Sequence, residues 1–314
     1  MDSLKVGVVG VGHLGQHHAR IYAELMNTEL VGVVDSSLDR VEEIAGRFDA
    51  PAYDDLDRFL DQQRPDAVSV VVPTVSHFAV ARRLLERGIN VLVEKPVTTT
   101  VEQAESLLQL AHKKHAVLQV GHIERFNGAV RYLTSELSDP LFIRSIRQGP
   151  FASRIADVGV VLDLMIHDID IILSLVKSDV RSIVASGRSV CSDHEDLAVA
   201  HIVFENGTIA DIASSRVSPH RTRTMEVTTT DRSYVVDFES QDISVIRAGH
   251  AVQGATSVEV TERPLFPRME PLKLELEHFL SCVREGKEPL VGISDGKRAL
   301  AVAIEILKQI QFRQ

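Results

Sequence analysis

Cysteine is scarce: Cys191 and Cys282 are the two in 314 residues, too few for a disulfide framework and without metal-ligand spacing. Reduced thiols, and with them a cytoplasmic setting, are the simplest expectation. Basic residues are in the minority, 34 Lys and Arg against 44 Asp and Glu for a formal charge of −10, with no Lys/Arg block. That balance argues against a nucleic-acid partner, and any anionic ligand must meet a local cluster of basic side chains. No apolar run reaches the roughly 18 residues of a membrane span. Met1-Asp2-Ser3 passes directly into an apolar run, without the pattern of a leader. A soluble chain with no membrane partner is expected. Internal repeats and low-complexity segments are also absent, and the length suits two domains.

What is present is concentrated first in residues 4–15. Leu4, Val6, Val8 and Val9 form the near-continuous apolar run of a parallel strand covered on both faces. Gly10, Gly12 and Gly15 follow at once as G-x-G-x-x-G. The first glycine permits a tight turn, the second a close approach to a pyrophosphate, and the third a close helix–strand packing. The backbone of Gly10, Val11, Gly12, His13, Leu14 and Gly15 is therefore the expected phosphate cradle, with a helix N-terminus behind it. Leu14, Ile21, Tyr22 and Leu25 give a helix over residues 13–26 its apolar face, and residues 30–34 form a second buried strand. It ends at Asp35, 20 residues past Gly15, where a carboxylate can accept hydrogen bonds from an adenosine ribose. Ser36 and Ser37 follow instead of an arginine, which predicts NAD over NADP, although Arg40 lies a turn further on.

The alternation continues with strands expected at residues 67–72, 90–93 and 116–120 and helices at 76–87 and 100–114. This makes residues 1–122 a doubly wound parallel (Rossmann) α/β domain. Residues 123–314 read as an α+β domain with a large open, mostly antiparallel sheet, used for substrate binding and oligomerisation. Within it, residues 202–204 and 208–212 flank Asn206-Gly207, the dipeptide of a two-residue hairpin turn. Further strands are expected at 180–186, 224–229, 234–238 and 243–247, then helices at 272–284 and 294–311.

Glu94-Lys95-Pro96 stands at the carboxyl end of a parallel strand, the edge where open α/β sheets bind ligands. Residues 158–176 read as one mostly buried helix carrying Asp163, His167, Asp168 and Asp170. Asp163 and His167 are four apart and so share a face, where the carboxylate can fix the imidazole tautomer and stabilise its charged form. Such a histidine serves as a general base. No His-Glu-x-x-His motif occurs, and Lys95 with His167 can handle a substrate oxygen without a metal, so none is expected.

Together GVGHLG with Asp35, the run Val72-Pro73-Thr74-Val75-Ser76-His77, Glu94-Lys95-Pro96 and Asp163-x-x-x-His167 resemble the Gfo/Idh/MocA oxidoreductases over nearly the whole chain. Residues 121–127 (GHIERFN) and 157–168 (DVGVVLDLMIHD) further resemble that family's UDP-N-acetylglucosamine 3-dehydrogenase branch. Gly128 departs from the proline common after the asparagine, which would leave the next helix less firmly begun. The resemblance implies oxidation of a nucleotide-sugar hydroxyl by NAD, yielding a 3-keto sugar for an aminotransferase that makes a lipid A precursor. It implies Lys95, His167 and Asp163 as the catalytic set, with His167 taking the hydroxyl proton. It adds Pro73, Thr74, His77, Glu94 and Lys95 to the cofactor site, and a homodimer or homotetramer. Substrate contacts are expected from Asn127 and His167. Arg125, Arg144, Arg147 and Arg154 are candidates for the diphosphate, Arg125 and Arg154 first, because guanidiniums fork onto phosphate oxygens. A dehydrogenase of a simpler sugar, polyol or inositol and a non-catalytic dinucleotide-binding regulator remain as other readings.

Overall fold

The computed structural model describes residues 3–151, 158–248 and 259–311. The chain divides into two compact units, Met1–Ile123 with Glu270–Lys297, and Glu124–Met269 with Arg298–Gln314.

In the first unit β1 (Leu4–Val9), β2 (Thr28–Val34), β3 (Ala52–Tyr53), β4 (Ala67–Val70), β5 (Asn90–Glu94) and β6 (Leu118–Gly121) form one sheet. Its order is β3-β2-β1-β4-β5-β6, and every pairing is parallel. The connecting helices are α1 (Gly15–Glu24), α2 (Leu38–Phe48), α3 (Leu56–Gln63), α4 (Thr74–Glu86) and α5 (Val101–Lys114). Val6, Val8, Val33, Val68 and Val91 are fully buried, as strands covered on both faces require. The strand order reverses between β1 and β4, so the glycine-rich loop, Asp35, Pro73 and Lys95 follow the carboxyl ends of neighbouring strands.

The second unit starts with a 3₁₀ turn and α6 (Gly128–Glu136), then β7 (Phe142–Gln148) and α7 (Ile166–Leu175). β8 (Val180–Arg188), β9 (Leu197–Phe204), β10 (Ile209–Ser215), β11 (Thr222–Thr228), β12 (Arg232–Asp237), β13 (Asp242–Ala248) and β14 (Glu259–Glu262) follow. They join β7 in an eight-stranded sheet of order β14-β13-β12-β11-β7-β10-β9-β8, antiparallel except for the β7/β10 pair. Asn206-Gly207 makes the β9–β10 turn, with Gly207 at φ +89°. One sheet face packs Ile143, Ile202, Ile212, Val227 and Val236 against Ile166, Ile169 and Ile172. Each such side chain, fully buried, contributes about 1.5–3 kcal/mol. The other face leaves Val184 and Val199 about half exposed, at 48% and 51%.

Two features depart from the expectation. β7 lies at the centre of this sheet, although its FIRSIRQ alternation places arginines where apolar residues usually mark a strand. The chain also returns to the first unit after the division at Ile123/Glu124, where the sequence reads as a single boundary after residue 122. There α8 (Pro271–Glu285) packs Leu276 and Phe279 against Ile21 and Tyr22, and Val291 accepts a 3.0 Å hydrogen bond from the Val120 amide. α9 (Ile293–Gln311) begins in the first unit and supplies Ala299, Ala303 and Ile306 to the core of the second.

Candidate active site

In the first unit, Gly10 sits at φ +88°, and a Cβ on it would lie 2.5 Å from the Val71 carbonyl oxygen, so only glycine makes this turn. A Cβ on Gly12 would meet nothing within 4 Å. That open space above bare backbone is a cradle for a pyrophosphate, and α1 starts behind it with no acidic residue in its first turn to oppose one. Asp35 is buried beside the loop. Its Oδ2 accepts the Val11 amide at 2.9 Å and its Oδ1 the Ser37 amide at 3.0 Å. A carboxylate has about four acceptor positions, so two remain for ribose hydroxyls. Arg40 Nη1 lies 3.7 Å from Asp35 Oδ1, its charge turned onto the carboxylate. These residues fit a dinucleotide. Gly10, Gly12, His13, Leu14 and Gly15 would line its phosphates, and Asp35 would hold its ribose.

Three residues assigned to the cofactor have other partners. The Val11 amide is taken by Asp35. Glu94 points toward α1, with Oε1 3.3 Å from buried His18 Nε2 and Oε2 accepting the Lys95 amide at 3.3 Å. His77 is buried, with Nδ1 2.8 Å from the Pro96 carbonyl and Nε2 2.9 Å from the Val72 carbonyl. Burial lowers its pKa, and the neutral ring then donates to one of these carbonyls. Glu94 and His77 thus brace the segments carrying Lys95 and Pro73. Lys95 itself is half-buried, directly after β5, while Pro73 is exposed and Thr74 opens α4. His18 escaped the sequence reading although its spacing from Leu14 and Tyr22 puts it on the apolar face of α1, where a histidine needs a buried partner.

In the second unit, the helix expected over residues 158–176 is one π turn, Val161–Met165, followed by α7. The Ile166 amide reaches back to the Val161 carbonyl, and this extra residue shifts Asp163 against His167 from the α-helical register that their spacing assumes. Both side chains are half-buried, whereas Asp168 and Asp170 are buried. The loop before β9 secures this start: the Glu195 carbonyl accepts the Val160 amide at 2.9 Å, and Glu195 Oε1 the Val161 amide at 3.1 Å. Asp196 holds the loop in turn, accepting the amides of Val190 and Cys191 at 2.6 Å and Arg216 Nε at 2.6 Å. Burial alone would raise its pKa, but those donors hold it well below the usual carboxylate range.

The arginines separate sharply. Arg147 is 2% exposed, with Nε and Nη2 on Asp168 at 3.0–3.3 Å and Nη1 on Glu124 at 2.8 Å. Burial works against its charge, yet Asp168 and Glu124 outweigh it and raise the pKa, so Arg147 is a structural cation. Arg125 faces buried Asp170 at 3.9 Å. Arg144 is exposed on the outer sheet face, over the Phe142 ring. Arg154 lies outside the described residues. Asn127 is also committed, its Oδ1 capping α6 at the Ala129 amide and its Nδ2 donating to the Phe238 carbonyl at 3.0 Å. Nor does Gly128 loosen that start. Its N–H points to Gln241 Oε1 at 3.5 Å, a bond proline cannot make, and a Cβ there would lie 2.8 Å from the Phe266 ring.

A doubly wound nucleotide unit with a glycine cradle, joined to a unit built on an open sheet, is the architecture of a two-part dinucleotide-binding protein. Residues 4–122 match the profile described as oxidoreductase family, NAD-binding Rossmann fold, and residues 124–235 that of the GFO/IDH/MocA C-terminal domain. The chain belongs to the Gfo/Idh/MocA family and is an NAD-dependent oxidoreductase acting on CH–OH groups of sugars. It is 35% identical to UDP-N-acetylglucosamine 3-dehydrogenase of Acidithiobacillus ferrooxidans, over 98% of this chain and 97% of that protein. A solved structure of that enzyme superposes with a TM-score of 0.93 at 34% identity, covering 99% of each chain. The scyllo-inositol 2-dehydrogenase (NAD(+)) of Bacillus subtilis is 27% identical over 96% of this chain and 92% of its own length.

Proposed function

We propose that this chain oxidises the 3-hydroxyl of UDP-N-acetylglucosamine, in the cytoplasm, to supply a 3-keto nucleotide sugar to an aminotransferase in lipid A synthesis. The observation that carries this reading is the 35% identity to the Acidithiobacillus enzyme across essentially both full lengths. In this reading His167, a half-buried imidazole, takes the proton of the substrate hydroxyl. Asp163, on the π turn that precedes α7, is the carboxylate assigned to support it. Lys95 Nζ donates to the same oxygen and stabilises charge as the proton leaves. Bound NAD supplies the hydride acceptor. Asp35, opposing a 2′-phosphate, sets the preference for NAD over NADP.

A symmetric dimer or tetramer through the outer face of the eight-stranded sheet belongs to the same reading, because half-exposed Val184 and Val199 on that face gain cover from a second copy. Light scattering at micromolar concentration that returns the monomer mass refutes it. For the activity, the test is NAD with a panel of UDP-sugars, free glucosides and inositols, followed by absorbance of the reduced cofactor. UDP-N-acetylglucosamine should be oxidised and yield a 3-keto product. Oxidation of inositols with none of the UDP-sugars would overturn the substrate assignment.

A further inference from the structure

Arg221-Thr222-Arg223 leads into β11 with two arginines at a spacing of two, the period of one strand face. In the ladder, Arg223 stands directly opposite Arg147 of β7, so two guanidiniums emerge side by side from the same face. Like charges placed so destabilise a sheet unless negative charge surrounds them. Arg147 has that charge in Asp168 and Glu124. Arg223 is less well served. Its Nε is 3.9 Å from Glu239 Oε1, beyond hydrogen-bond reach, and the same oxygen lies 3.5 Å from Arg221 Nε. Burial, and after it the Arg147 charge, lowers the pKa of Arg223.

Among the described residues, Arg147, Arg216, Arg221 and Arg223 line one cavity of about 90 Å³, a volume that accommodates a phosphoryl group, and Asp163 also stands in its wall. Arg147 is committed to its carboxylates, and Arg216 to Asp196, the Val158 carbonyl and Ser192. Arg221 and Arg223 therefore hold the guanidinium donors least taken up by the protein. Among the described lining residues, two guanidiniums are paired with the buried carboxylates Asp168 and Asp196 and the other two share Glu239 at 3.5 and 3.9 Å, so Arg221 and Arg223 are the local basic pair open to an anionic ligand.

We propose that Arg221 and Arg223 form a phosphoryl subsite that receives the diphosphate of the nucleotide-sugar substrate, an assignment that rests on the substrate reading above. Forked N–H donors suit phosphate oxygens, and the anion would relieve the opposition between Arg223 and Arg147.

The test is calorimetric titration of the NAD-loaded enzyme with UDP and, separately, with uridine, alongside kinetics with UDP-N-acetylglucosamine. Arg223→Ala should weaken UDP binding and raise KM by roughly tenfold to a hundredfold, the range of a hydrogen bond to a charged group. Uridine binding and kcat should change by less than about threefold, since neither depends directly on a phosphoryl contact in this assignment. Arg223→Lys keeps the charge without the fork and should fall between. The thermal midpoint should not drop, because the substitution removes a like-charge opposition. UDP affinity unchanged in folded Arg221→Ala/Arg223→Ala, or an equal loss for uridine, overturns the subsite. Oxidation of UDP-N-acetylglucosamine with both arginines dispensable would overturn it while leaving the activity intact. Arginine-dependent UDP binding without oxidation of any UDP-sugar would do the reverse.

Discussion

Replacing Asp168 by asparagine should weaken the second unit far more than its small change in shape suggests. Asp168 is fully buried and takes three guanidinium contacts from Arg147, which is 2% exposed. The amide keeps one acceptor, loses the charge and turns N–H donors toward N–H donors. Arg147 is left with Glu124 at 2.8 Å as its remaining ion-pair partner. Breaking a buried pair by removing one member costs about 3–5 kcal/mol. Whole domains have about 5–15 kcal/mol of stability. At about 2–4 °C per kcal/mol for a unit of this size, the thermal midpoint should fall by roughly 6–20 °C. Differential scanning calorimetry of the wild type and variant measures this. The double variant Arg147→Met/Asp168→Leu should recover much of the loss, since apolar replacement of a buried pair is often neutral or stabilising. A midpoint for Asp168→Asn within about 2 °C of wild type would show that Arg147 draws its stabilisation from elsewhere, and would return it to the candidates for substrate binding.

NAD should bind at least about tenfold more tightly than NADP, because Asp35 is held in place by two backbone amides and opposes a 2′-phosphate. Similar dissociation constants by calorimetry contradict this. His167→Ala should keep NAD binding and lose about a hundredfold to ten-thousandfold in kcat. An acidic limb of kcat/KM that persists unchanged in that variant identifies a different base. Asp196 has a depressed folded-state pKa, so its stabilisation is present above the unfolded value near 4 and is lost as pH falls toward the folded value. Asp196→Asn should therefore be less stable at neutral pH and show a shallower acid decline, and an unchanged slope in urea titrations below about pH 4 would refute the role given to its donors.

The nucleotide unit was legible in sequence because its signals are local. Gly10 to Gly15 form a turn whose chemistry lies within one strand and one helix, and Asp35 falls at the end of the next buried run. The apolar strands β1, β2, β4 and β5 announce burial on both faces without reference to any distant residue. The Asn206-Gly207 hairpin was legible for the same reason.

Destination was not legible. The amphipathic pattern of α8 shows that one face is buried, and only the fold decides that Leu276 and Phe279 bury it with Tyr22 rather than in the second unit. Commitment of polar groups was equally hidden. Glu94, His77, Asn127 and Arg147 occur where a ligand site was expected, yet their partners are His18, the Val72 and Pro96 carbonyls, the Phe238 carbonyl, and Asp168 with Glu124. The sequence by itself determined which chemical groups lie at the carboxyl ends of the first sheet and on the segment around His167. Only the tertiary structure decided which charges are closely paired, like that of Arg147, and which, like that of Arg223, meet a carboxylate only at 3.9 Å. Those pairings depend on strand order and register between residues far apart in the chain, and a local pattern of residue types carries no information about register.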